Sequence, residues 1–143
     1  MEITIRVEWD MGHRLPNHGG ECRHLHGHRY VAEVVVRGAV QGEAGAPDEG
    51  MIVDFGVVKG LVRHMLEGQR DHRFLVAESD PLKQMLYDLP GVVVVPWIPT
   101  AENIAADFFS QLQAKIYSAF GGDTVRLARL RLYETPTSWV DVT

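Results

Sequence analysis

Seven residues near the start of the chain, Cys22-Arg23-His24-Leu25-His26-Gly27-His28, carry its densest chemistry. In extended backbone, residues i and i+2 point to one face, so His26 and His28 converge on a common point. Gly27 between them lets other groups come close. A third imidazole is available at His13, within Gly12-His13-Arg14. Three neutral imidazoles around one ion leave a tetrahedral centre with an open position, the arrangement of a catalytic rather than a structural site. Zinc, one ion per chain, is the expected metal, with iron or cobalt able to use the same donors. His24 also stands two residues from His26, so His24 with His26 is a competing register, and His18 is a further histidine of the same loop. Gly27 and the strand that opens at Arg29 favour His28.

Five further residues have types suited to catalysis or ligand contact. Cys22 is the chain's single cysteine and sits in a polar stretch. Thiols set beside a cation act as bases or nucleophiles. That role is expected here, against burial as a small hydrophobe or closure of the metal site as a fourth ligand. Asp71-His72 is an acid–imidazole pair, in which the carboxylate orients a ring that passes protons. Glu134 falls on the same strand face as Leu130 and Leu132. An inward carboxylate needs partners, and its two oxygens suit a paired N–H edge such as that of a pterin or guanine. Thr100 opens a helix, where capping accounts for it and contact with a ligand is the alternative.

These residues must be positioned by the elements between them. Residues 2–10 alternate polar and apolar, with Ile3, Ile5, Val7 and Trp9 on one face, and read as a half-buried strand. Residues 11–28 read as a long loop, 29–38 as a second strand and 39–50 as a surface connection. Asp54 is placed to cap a helix with an apolar stripe of Val57, Val58, Leu61, Val62, Met65 and Leu66. A polar break at 70–75 is followed by a short helix over 80–89, with Pro81 in its first turn, and a short strand at 92–95. A longer helix after Pro99-Thr100 buries Ile104, Phe108, Phe109, Leu112 and Ile116 and ends at Gly121-Gly122. Strands over 124–134 and 138–142 complete an α+β order with a mostly antiparallel sheet and helices on one side.

Length and composition set the bounds. At 143 residues the chain reads as one domain, 1–143, with 45% apolar residues and enough length for a real core. No apolar run reaches the roughly 20 residues of a membrane span, and no secretory leader is visible, so a cytoplasmic protein is expected. A net charge of −5 argues against a broad nucleic-acid surface. It leaves room for one anionic small molecule met by local arginines, among which Arg14, Arg23 and Arg73 are not distinguished.

Six blocks together resemble the 6-pyruvoyl-tetrahydropterin synthase superfamily. They are Gly12-His13-Arg14-Leu15, Cys22 with His26-Gly27-His28 and Tyr30, Gly50 through Phe55, Asp71-His72 with Phe74-Leu75, Pro99 through Asn103, and Glu134 through Thr137. The three residues between Cys22 and His26 resemble the bacterial branch, 6-carboxy-5,6,7,8-tetrahydropterin synthase. The chain departs from the pattern in Asp10-Met11-Gly12-His13, where many members have small residues, often alanine, before the histidine, and at Arg73, where some carry a second histidine. Neither change removes a ligand or an acid–base group.

The resemblance implies a tunnelling fold, with an antiparallel four-stranded sheet carrying two long helices on one face, and a homo-oligomer, trimer or hexamer. It implies zinc on His13, His26 and His28, with Cys22, Asp71 and His72 moving protons. Glu134, with Thr100, would hold the pterin. The implied reaction turns 7,8-dihydroneopterin triphosphate into 6-carboxytetrahydropterin, with acetaldehyde and triphosphate leaving, on the route to queuosine and other 7-deazapurines. Formation of the 6-pyruvoyl product, or a non-catalytic pterin-binding module of the same fold, are the alternatives.

Overall fold

The structure is a computed structural model that describes residues 1–121 and 124–143. Strand β1, Glu2–His13, pairs antiparallel along its whole length with β2, His26–Gly38. β5, Val125–Thr135, pairs antiparallel with the other edge of β2, and β6, Ser138–Val142, with β5. On the far side of β1 lie two parallel strands, β3, Arg73–Ala77, and β4, Val92–Val95. The sheet order is β4-β3-β1-β2-β5-β6, so it has six strands rather than the expected four. Helix α1 spans Phe55–Gln69, α2 Lys83–Leu86 and α3 Ala101–Phe120.

Alternation explains which face is covered. Ile5, Val7, Trp9 and Met11 of β1 are buried in one row, beside Tyr30, Ala32, Val34 and Val36 of β2 and Leu130 and Leu132 of β5. Val58, Val62, Met65 and Leu66 of α1 and Ile104, Phe108, Leu112 and Ile116 of α3 join the same cluster. Both long helices thus lie on one sheet face, as the apolar stripes predicted. Val57, counted in the α1 stripe from the sequence, is half exposed instead.

The helix ends follow local chemistry. The Asp54 carboxylate accepts from the Gly56 and Val57 amides at 2.6 and 3.3 Å. Thr100 Oγ1 accepts from the Asn103 amide at 3.3 Å. Gly121 ends α3 with φ 76°, the left-handed conformation glycine adopts without strain; Gly122, expected to share that role, lies outside the described residues. Three boundaries differ from the sequence reading. β1 and β2 run on to His13 and back to His26, shortening the predicted loop at both ends. The predicted break at 70–75 contains the start of β3, and the helix predicted over 80–89 forms only one turn. No helix of the described residues is long and apolar enough to cross a membrane.

Candidate metal centre and active site

The buried rows of three neighbouring strands end in polar residues, and those residues meet. His13 continues the β1 row, His26 and His28 precede Tyr30 in the β2 row, and Glu134 follows Leu132 in β5. The register sets His13 opposite His26 and Met11 opposite His28. The His13 and His26 rings are 4.6 Å apart, and those of His26 and His28 are 5.0 Å apart. One potential donor atom from each of the three histidines lies within 4.8 Å of the others.

Their hydrogen bonds select the free nitrogen. His13 Nδ1 lies 2.6 Å from the Pro99 carbonyl and His26 Nδ1 2.9 Å from the His24 carbonyl. A carbonyl only accepts, so Nδ1 carries the proton in both rings and Nε2 keeps its lone pair. Backbone support of this kind orients a metal-binding imidazole. The Nε2 atoms of His13, His26 and His28 are all buried, and none has a hydrogen-bond partner among the described residues. Three buried Nε2 atoms without a hydrogen-bond partner, converging at this spacing, fit a zinc ion.

Electrostatics agree. Burial lowers the His13 pKa, outweighing the raising effects of the Pro99 hydrogen bond and of Glu134. His28 is lowered for the same leading reason. Glu134 Oε1 stands 3.5 Å from His13 Nε2 and 3.9 Å from His28 Nε2, distances at which an ion pair would form if the rings were charged. Desolvation of the two rings opposes that charge. The Tyr30 hydroxyl donates to Glu134 Oε1 at 3.4 Å. Its pKa is pushed up by burial first, by Glu134 next and by Cys22 last.

The remaining predicted residues lie outside this group of three donors. Cys22 sits half-buried on a single 3-10 turn, Glu21–Arg23, and is not one of the three grouped donors. His72 Nδ1 donates to Asp71 Oδ1 at 2.9 Å, and the Asp10 amide donates to the same oxygen at 3.4 Å. The pair sits just past the end of α1. His72 takes φ 55°, uncommon for a residue with a side chain, and its amide donates to the Asp10 carbonyl at 2.8 Å. His72 and His28 line one cavity of about 530 Å³. His28 and Glu134 line a second of about 700 Å³, and Glu134 and Thr100 a third of about 350 Å³.

Two participants, Tyr30 and Pro99, are named in the sequence blocks without a role at the site. Tyr30 had a signal, since it follows His26 and His28 at the same two-residue step. The Pro99 carbonyl had none, because backbone acceptors carry no residue identity. Of the three arginines considered for an anion, Arg14 is buried and bound within the fold. His24, the competing ligand, is exposed and offers its carbonyl to His26 instead.

The family model described as 6-pyruvoyl tetrahydropterin synthase matches residues 2–143. A protein of Rickettsia felis named 6-carboxy-5,6,7,8-tetrahydropterin synthase is 33% identical over 146 residues, covering 99% of each chain. One of that name from Haemophilus influenzae is 29% identical, covering 98% of this chain and 96% of its own. Among solved structures, an uncharacterized protein of Wolinella succinogenes matches with a TM-score of 0.79 at 22% identity, over 99% of this chain and 97% of its own. The 6-pyruvoyl tetrahydropterin synthase of Plasmodium vivax matches with 0.72 at 20% identity, over the same shares. These structural likenesses identify the tunnelling fold, here with a six-stranded sheet. By sequence and by fold, the chain belongs to the 6-pyruvoyl tetrahydropterin synthase family.

Proposed function

We propose that this chain is a zinc-dependent lyase that converts 7,8-dihydroneopterin triphosphate and water to 6-carboxy-5,6,7,8-tetrahydropterin, acetaldehyde and triphosphate. The observation that carries the reading is the convergence of three buried, partnerless Nε2 atoms beside Glu134. The curated relatives named 6-carboxy-5,6,7,8-tetrahydropterin synthase support the substrate and product, and a place in queuosine and 7-deazapurine synthesis is proposed with them.

His13, His26 and His28 would hold one zinc ion, which when bound would supply Lewis acidity toward the hydroxyls of the substrate side chain and so acidify the adjacent C–H. Cys22, as thiolate, takes or relays that proton. Asp71 keeps the His72 proton on Nδ1, leaving Nε2 to exchange protons in the cavity that His72 shares with His28. Glu134 pairs with the N–H edge of the pterin, and Thr100 lines the same cavity.

One domain over 1–143 is supported by the continuous core. A homo-oligomer, trimer or hexamer, is proposed because β4 and β6 are the sheet's outer strands, and unpaired edges invite association between copies. The proposed setting is the cytoplasm, without nucleic-acid or membrane partners.

A second reading, formation of 6-pyruvoyltetrahydropterin by triphosphate elimination at the same centre, is favoured by the description of the matching family model. Mass spectrometry of the products of the zinc-loaded protein separates the two. The carboxylated pterin with stoichiometric acetaldehyde is expected; the pyruvoyl compound alone would overturn the first reading in favour of the second.

A further inference from the structure

The fold buries a charge pair that the proposed chemistry does not use. Arg14 directly follows His13 and is 8% exposed, and Asp80, in the turn after β3, is 4% exposed. Arg14 Nη1 donates to Asp80 Oδ1 at 3.0 Å. A lone buried guanidinium is costly, so Asp80 is what allows Arg14 to stay inside. Asp80 is fixed in turn. Its Oδ1 also accepts from the Leu82 amide at 2.8 Å, and its own amide donates to the Ala77 carbonyl at 3.0 Å.

The other arm of Arg14 points at the cysteine segment. Arg14 Nε donates to the Arg23 carbonyl at 3.0 Å, and the next amide, Leu15, donates to the Cys22 carbonyl at 2.8 Å. Cys22 sits on a three-residue turn with no buried residue and no side-chain cap at its N-terminus. So short a turn has almost no stability of its own. These two carbonyl contacts tie it to the end of β1, one residue from a proposed zinc ligand.

We infer that Arg14, locked by Asp80, is the positioning residue that holds the Cys22 turn in register with the histidine centre. The guanidinium suits this task because its planar fork donates in two directions at once, which a single ammonium on a flexible stem does not reproduce. The catalytic part of this inference rests on the role proposed for Cys22; the geometric part does not.

The chain's single thiol makes the test clean, since alkylation by iodoacetamide reports on Cys22 alone. In the zinc-loaded protein, Asp80→Asn and, independently, Arg14→Lys are expected to keep one zinc per chain and KM within twofold. Each should lower kcat about tenfold or more and change the alkylation rate of Cys22 at least fivefold. Combined with Cys22→Ala, neither substitution should lower the residual turnover further, whereas general loosening of the fold would. Should Asp80→Asn fail to fold, Arg14→Lys carries the same expectations, because it keeps the positive charge opposite Asp80. Wild-type alkylation and kcat in the folded variants would overturn the inference while leaving the role of Cys22 intact. Full turnover of Cys22→Ala with altered alkylation in the variants would instead overturn that role and keep the positioning.

Discussion

Replacing Gly27 by alanine should separate the metal ligands without touching any of them. Gly27 lies between His26 and His28 and faces Gly12, the neighbour of His13, in the β1–β2 ladder. A Cβ built on Gly27 meets the Met11 carbonyl oxygen at 3.0 Å and Gly12 Cα at 3.3 Å. Favourable carbon contacts begin near about 3.5 Å, so the backbone of β1 must yield by a few tenths of an ångström. No rotamer change relieves the clash, because both obstructing atoms are main chain. Overpacking of this kind costs about 1–3 kcal/mol. The displacement falls where His13 must converge with His26 and His28, and loosened ligand orientation weakens metal binding about 10–100-fold. Urea unfolding of the metal-free protein measures the first effect, and competition with a chromophoric chelator the second. Gly60→Ala is the control, since that exposed helical site has nothing within 4 Å of the added carbon; it should stabilise by about 0.5–1 kcal/mol with zinc affinity unchanged. Wild-type stability and affinity in Gly27→Ala would refute the view that strand proximity at the two glycines sets the ligand geometry.

Three other outcomes are expected. Cys22→Ala should retain one zinc per chain and lose most turnover; loss of the metal would make the thiol a structural ligand, and full turnover would remove it from the chemistry. His26→Ala should bring zinc below one per chain by elemental analysis, and unchanged stoichiometry would dismantle the ligand set. The pKa values of His13 and His28 are lowered from 6.5 mainly by burial, so the unfolded chain binds these protons more readily than the folded one. Metal-free protein should therefore keep its full stability above about pH 6.5 and lose it progressively below. The urea midpoint measured between pH 7.5 and 5 checks this: it should fall with acid, less steeply in His13→Gln, and a midpoint that rises on acidification would contradict the burial argument.

How much of this was legible beforehand differed by element. The convergence of His26 and His28 was, because residues two apart in extended backbone share a face; His13 joins them through the β1–β2 pairing. Both long helices were, because Ile104, Phe108, Leu112 and Ile116, like Val58, Val62, Met65 and Leu66, repeat at helical period and are buried. β3 was not. It opens on Arg73, and its apolar run Phe74-Leu75-Val76-Ala77 lacks alternation because the strand is paired on both edges and its last three residues are buried. The loop over 11–28 reads longer than it is because its Pro, Asn, Gly and His residues resemble loop composition, whereas Gly12 and Gly27 allow close pairing of β1 with β2. Burial of Arg14 against Asp80 joins residues 66 positions apart, and nothing local announces it.

The central claim is that three imidazole nitrogens, and no sulfur, hold the zinc, leaving an open position for substrate. X-ray absorption at the zinc edge of the loaded, substrate-free protein tests it directly. The account predicts three histidine nitrogens at about 2.0–2.1 Å with one further light-atom ligand from solvent. A sulfur scatterer at about 2.3 Å would mean that Cys22 closes the site, and the catalytic reading would fail.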